Sequence, residues 1–110
     1  MSKQGFTKKD WTLFRSKIVE WQEAYMDCLN KEYIEILNGD EAPSEKFWTL
    51  EKRLHEDKKD RGVRIEMSRS EMIYNILDLI DEGAIEFDDL SEFSEELQEN
   101  IKRIMEMRRL

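Results

Sequence analysis

From Trp11 to Ile36, apolar side chains recur at steps of three and four: Trp11, Phe14, Ile18, Trp21, Tyr25, Cys28 or Leu29, Tyr33 and Ile36. A strand would alternate every second residue, so this spacing predicts a helix with these side chains on one face. Thr7 followed by Asp10 predicts its start, a capping box in which Asp stands where Glu or Gln is more usual. Phe6 and Trp11 fit a hydrophobic staple across that start. Asn38-Gly39 predicts the stop, through a left-handed glycine. Roughly thirty residues at 1.5 Å each make a rod of about 45 Å. Such a rod in a chain of 110 residues must have its aromatic stripe covered, because apolar area left in water is unfavourable by about 25 cal/mol per Å².

No other segment matches that length. Pro43-Ser44 predicts a second helix capped by Ser44, with Phe47, Leu50 and Leu54 on one face and Trp48 beside it. The run Lys58-Lys59-Asp60-Arg61-Gly62 predicts its cationic end and glycine stop. Val63, Ile65 and Met67 alternate with Arg64 and Glu66, an extended connector too short to promise a sheet. Ser68 with Glu71, and Met67 with Met72, predict the start of a third helix. Its stripe is Met72, Ile73, Ile76, Leu77 and Ile80, and Gly83 ends it. Ile85 and Phe87 are expected to be buried in a turn. Asp88 or Ser91 is expected to cap one short helical turn carrying Leu90 and Phe93. Ser94 is expected to cap a last helix with Leu97, Ile101, Ile104 and Met105 inward.

The expectation is therefore a single all-α domain over residues 1–110, with four main helices. One long N-terminal amphipathic helix is packed by shorter ones, the second and third lining it end to end. A second copy of the chain is the other way to cover the stripe. Trp11, Phe14, Ile18, Trp21, Tyr25 and Tyr33 are thus a candidate core face or a candidate homodimer face.

Composition excludes several classes of function. Cys28 is the one cysteine and His55 the one histidine, so disulfide frameworks, zinc clusters and His- or Cys-based catalytic dyads lack their parts. His55 is expected as a surface residue at a helix end, and Cys28 as an inert buried thiol. No enzyme activity and no metal or organic cofactor is expected. The first residues show no apolar run of signal-peptide length, and nowhere do about 18 apolar residues run together. The expected compartment is the cytoplasm.

The net charge of −8 is not spread evenly. Residues 1–69 hold 14 basic and 14 acidic side chains, whereas residues 70–110 hold 4 basic and 12 acidic and carry all of the excess. Between Ser70 and Ile101 there is no Lys or Arg. Eleven acids stand there: Glu71, Asp78, Asp81, Glu82, Glu86, Asp88, Asp89, Glu92, Glu95, Glu96 and Glu99. A solvated, solubilising face is the plain reading of such a run. Unmixed like charge also resembles a polyphosphate backbone, which makes these residues candidates for meeting a basic surface on a protein partner. Asp78–Asp89 places Gly83 and Ile85 as a calcium-binding loop would, but Ile80 has no oxygen to offer and belongs to a helical stripe. Lys52, Arg53, Lys58, Lys59, Arg61, Arg64 and Arg69 form a basic cluster, yet Glu51, Glu56, Asp57, Asp60 and Glu66 are interleaved. Nucleic acid and anionic membranes are accordingly poor partners.

The strings Trp11-x-x-Phe14-Arg15-x-Lys17-Ile18-x-x-Trp21-Gln22-Glu23-x-Tyr25-Met26, Pro43-Ser44-x-Lys46-Phe47-Trp48-x-Leu50-Glu51-Lys52-Arg53 and Gly62-Val63-x-Ile65-Glu66-Met67 resemble a group of short helical proteins of Clostridia-like Firmicutes. The resemblance spans nearly the whole chain. No activity or functional residue is established for that group, so none is carried over. Small proteins of this kind are often encoded on phages or mobile elements, which implies an inhibitor or regulator. The expected function is a non-catalytic acidic module that occupies a basic, nucleic-acid-binding site on a partner protein. The alternatives are a self-associating helical protein, dimeric through the aromatic face of the first helix, and a small DNA-binding regulator.

Overall fold

The computed structural model describes residues 4–109, and all their regular structure is helical. The elements are α1 (Lys8–Leu37), α2 (Pro43–Asp57), α3 (Met72–Asp81) and α4 (Glu95–Arg108), with single 3-10 turns at Arg69–Glu71 and Phe87–Leu90. α1 is the thirty-residue rod that the spacing predicts. Its capping box forms: Thr7 Oγ1 accepts from the Asp10 N–H at 3.1 Å, and Asp10 Oδ2 accepts from the Thr7 N–H at 2.8 Å. The far end differs from expectation. Gly39 has no positive φ, and the chain leaves α1 through a tight turn in which the Gly39 N–H donates to the Ile36 carbonyl at 3.3 Å.

α1 is covered in two parts. Its first half enters the core, where Phe14 and Ile18 are buried with Phe6, Met72, Ile76, Leu77, Leu79, Ile85, Leu90, Phe93, Leu97 and Ile101. Rings run through this region in contact, Trp11 to Phe14 at 6.2 Å, Phe14 to Trp21 at 6.1 Å and Trp21 to Phe93 at 6.1 Å. Offset and edge-to-face aromatic pairs at such separations add to the simple gain from burial. The N-terminal part of the candidate dimer face is therefore the core of one chain: Phe14 and Ile18 are buried, Trp11 and Trp21 half-buried.

The second half of α1 pairs with α2 as an antiparallel hairpin held by polar contacts. Tyr33 donates to Asp57 Oδ2 at 2.6 Å, Tyr25 to Asp60 Oδ2 at 2.6 Å, and Gln22 to the Arg61 carbonyl at 3.0 Å. Arg53 lies over the Tyr33 ring at 5.8 Å and pairs with Glu32 at 3.3 Å. No residue of α2 is buried, and Phe47, Leu54 and Trp48 stand exposed instead of packing on α1. The physical reason is the composition of the contact face. Lys46, Leu50, Arg53 and Asp57, its more sheltered positions, offer one wholly apolar side chain among them.

The starts and stops of the remaining elements agree with their local sequence signals only in part. α2 begins at Ala42 and Pro43, not on a Ser44 cap, because Pro at the first helical position has the right φ and no N–H to satisfy. Gly62 does not end α2 by left-handed backbone either. It is buried against Tyr25, where a Cβ would overlap the ring. Ser68 opens a 3-10 turn, its hydroxyl sharing a hydrogen bond with Ser70, and α3 starts only at Met72. Gly83, at φ +79°, ends α3 as expected, with the Ala84 N–H donating to the Leu79 carbonyl at 2.9 Å. Ile85 is buried and Phe87 half-buried. The 3-10 turn after them is capped by Glu86 with Asp89, not by Asp88 or Ser91. Ser94 caps α4, its hydroxyl accepting from the Leu97 N–H at 3.1 Å.

Candidate functional site

The eleven acids of residues 70–101 divide into those that hold the fold and those that face water. Glu82 belongs to the first group. Its two oxygens accept from the backbone N–H groups of Arg61 at 3.0 Å and Gly62 at 3.2 Å, tying the end of α3 to the turn after α2. Burial raises its carboxyl above the ordinary value; the two N–H groups oppose this, while Asp60 and Asp78 nearby add to it. Glu86 and Asp89 form the capping box of the second 3-10 turn, the Glu86 N–H donating to Asp89 at 2.7 Å. Glu96 is half-buried and engaged within the fold.

Three acids pair with cations from outside the stretch: Asp78 with Arg61 at 3.6 Å, Asp81 with Arg108 at 3.1 Å and Glu92 with Lys17 at 2.6 Å. The stretch lacks cations in sequence, and the folded chain brings three to it, from α1, the α2–α3 connector and the end of α4. These pairs are solvent-exposed to a large degree, and such pairs contribute about 0–1 kcal/mol. Eight of the eleven acids remain exposed: Glu71, Asp81, Glu86, Asp88, Asp89, Glu92, Glu95 and Glu99. Four of these cluster in sequence around the start of α4. Asp88 and Glu92 lead into α4, where Glu95 and Glu99 sit one turn apart on the face opposite Leu97 and Ile101. Their position at the helix N-terminus is electrostatically favourable.

The aromatic candidates serve structure. Trp11, Phe14, Ile18 and Trp21 lie in or against the core, while Tyr25 and Tyr33 latch the hairpin to Asp60 and Asp57. Burial first, and then the hydrogen bond to Asp57, push the Tyr33 phenol up to about 12. Tyr25 is raised further by the same causes, with Asp60 as its acceptor. Cys28 is exposed rather than buried: it stands beside the apolar stripe, one step from buried Leu29. His55 is an exposed residue in the last turn of α2. α3 runs through Asp78 and Ile80, so Asp78–Asp89 begins as helix and not as a cation-binding loop.

Two features had no signal in the sequence. Asp10 is 2% exposed and reaches beyond its own helix: Oδ1 accepts from the Ser94 N–H at 2.8 Å and Oδ2 from the Ser94 hydroxyl at 2.6 Å. One carboxylate thus joins the N-termini of α1 and α4. The second is an open cleft of about 1070 Å³ between α2 and the connector, lined by His55, Lys58, Lys59, Arg61, Arg64 and Glu66 among others. The basic cluster seen in the sequence is partly gathered there.

Among the described residues no helix is long and apolar enough to cross a membrane. No protein-family model, no curated protein and no solved structure matches the chain.

Proposed function

We propose that the chain is a non-catalytic protein-binding module whose acidic surface occupies a basic, nucleic-acid-binding site on a partner protein, as an inhibitor or regulator would. The observation that carries this reading is the exposure of Asp88, Glu92, Glu95 and Glu99 around the start of α4. Among the described residues only Glu92 of these four has a cationic partner, and Lys17 can be exchanged for a partner's cation at little cost because the pair is partly exposed. Glu95 and Glu99 stand one helical turn apart, and with Asp88 and Glu92 they present like charge with no Lys or Arg between them in sequence, the feature by which a basic groove recognises a phosphate backbone.

The test neutralises these four with Asp88→Asn, Glu92→Gln, Glu95→Gln and Glu99→Gln. Glu82 and Asp89 are left intact because they hold the fold, and Lys is avoided because cations oppose the dipole at the start of α4. The wild type and the variant, equal in far-ultraviolet circular dichroism, are used to capture proteins from the native host. A partner held by the wild type, lost by the variant and displaced by duplex DNA is the expected result. Equal capture by the two proteins would falsify the proposal.

A further inference from the structure

The α1–α2 hairpin projects as an arm from a molecule measuring 57 × 32 × 21 Å, and its two flanks differ. One flank is polar: Glu32, Arg53 and Asp57 meet there across the helices. At 100° per residue, Ile34 and Leu37 of α1 and Phe47 and Leu54 of α2 lie on the other flank. These four are 55%, 47%, 63% and 40% exposed, and Trp48, 64% exposed, extends the patch by an edge-to-face contact with Phe47 at 5.1 Å. With apolar and aromatic side chains of roughly 200 Å² each, these fractions leave about 540 Å² of apolar surface on one chain. A standard interface uses about 800 Å² per partner, so this patch and its half-exposed surroundings are of the size a stable dimer needs. Isolated exposed apolar residues need no explanation, whereas five in one patch do.

The charge along the arm says what covers the patch. The tip, residues 35–45, has four acids (Glu35, Asp40, Glu41 and Glu45) and no Lys or Arg. From residue 46 to 64 there are seven cations and four acids. The cations concentrate at the base, where Lys58, Lys59 and Arg64 line the cleft. At the tip the neighbouring Glu41 carboxylate holds the Glu45 carboxyl above its ordinary value. A surface that is acidic at one end and basic at the other is complementary to itself when turned end for end. A twofold interface performs that operation.

We propose that the arm is a homodimer interface in which the apolar flanks of two copies pack antiparallel, closing a four-helix bundle. A twofold axis passing between Leu50 and Glu51 sets Phe47 of one copy level with Leu54 of the second. It brings Asp40, Glu41 and Ala42 of each level with Arg61, Asp60 and Lys59 of the other, and of these Asp60 is taken up by the Tyr25 hydroxyl of its own chain. The five apolar side chains of each copy leave water, and each acidic tip meets a basic base. This interface shares no residue with the acids around the start of α4, so its failure and that of the proposed function are separable.

The test measures molar mass by light scattering from about 1 to 100 µM, a range that brackets micromolar affinity. The wild type is expected to become dimeric at the upper end. Phe47→Glu, whose side chain is exposed in the monomer and so leaves its helicity unchanged, should raise the dissociation constant at least tenfold. Lys58→Glu with Lys59→Glu should weaken the dimer about fivefold, as should Asp40→Lys with Glu41→Lys, on the scale of exposed ion pairs. Both pairs of reversals in one chain should restore it, because end-for-end complementarity is regained. A wild type that stays monomeric at 100 µM overturns the proposal. So does a dimer indifferent to Phe47→Glu, or a fourfold variant no tighter than either double.

Discussion

Asp10→Ala removes one acceptor from three donors at once: the Thr7 N–H, the Ser94 N–H and the Ser94 hydroxyl, at 2.8, 2.8 and 2.6 Å. Hydrogen bonds to a charged group contribute about 1.5–3 kcal/mol each, and a buried donor left unpaired costs about 1–3 kcal/mol. The three share one carboxylate whose desolvation opposes them, so the loss is less than their sum, about 3–4 kcal/mol. At about 2.1 cal/mol/K of unfolding entropy per residue, a chain of 110 residues should then melt roughly 13–17 °C lower. Circular dichroism melts and urea titrations read this, with the m value unchanged because no surface is newly exposed. Ser94→Ala in a double-mutant cycle should show coupling of about 1–2 kcal/mol, since the two residues contact directly.

The same contact sets a pH dependence. Burial pushes the Asp10 carboxyl upward, but the Ser94 side-chain and backbone hydrogen bonds and those of Thr7 outweigh it and hold it below its usual 3.8. A carboxyl lowered in the folded state contributes stability above the unfolded value and loses it as pH falls through the folded one. The difference between wild type and Asp10→Ala should thus be constant from pH 7 to 5 and shrink in strong acid. A loss below about 1 kcal/mol at pH 7 would refute the reasoning, as would a difference that persists unchanged at pH 2.

Three further outcomes follow from single contacts. Gly62→Ala places a methyl group against the Tyr25 ring and should destabilise by about 2 kcal/mol in urea unfolding; an unchanged midpoint would mean that the ring moves aside freely. Tyr33 ionises at about 12 in the folded chain against 10.0 unfolded, so the folded state keeps a proton that the unfolded state releases. Stability should fall as pH rises from 10 towards 12, and Tyr33→Phe should lessen that slope; equal slopes would count against the Asp57 hydrogen bond. Cys28 is exposed and should react with a thiol reagent in the native protein within about threefold of its unfolded rate, whereas a rate a hundredfold slower would place it inside the fold.

Caps and periodicity were legible because they are local. Thr7 with Asp10, Ser94 with the Leu97 N–H, and Gly83 after α3 each act within six residues, and each stands in the structure as read. The four helices follow from the same short-range rules. Gly39 and Gly62 show where a local rule misleads. Neither adopts the left-handed backbone, and the second is a glycine because Tyr25, 37 positions earlier, lies against it.

The acidic stretch was legible as charge and not as contact. The run of eleven acids carried no means of separating Glu82, held by the turn after α2, from Glu99 in water. The cations Lys17, Arg61 and Arg108 come from as far as 75 residues away, as for Glu92.

By itself, the sequence determined which segments are helical, how long α1 is and which residues share each face, since hydrogen bonding and side-chain spacing within a helix reach only four residues. Only the tertiary structure decided what covers each face. Phe14 and Phe47 have the same helical signature, yet Phe14 lies in the core and Phe47 in solvent. Burial is a property of what arrives from elsewhere in the chain: apolar side chains from α3 and α4 reach the first half of α1, whereas the second half meets a helix whose facing side is charged. The same holds for Asp10, a helix cap by local rule, which the fold turned into the link between the N-termini of α1 and α4 by bringing Ser94 to both of its oxygens.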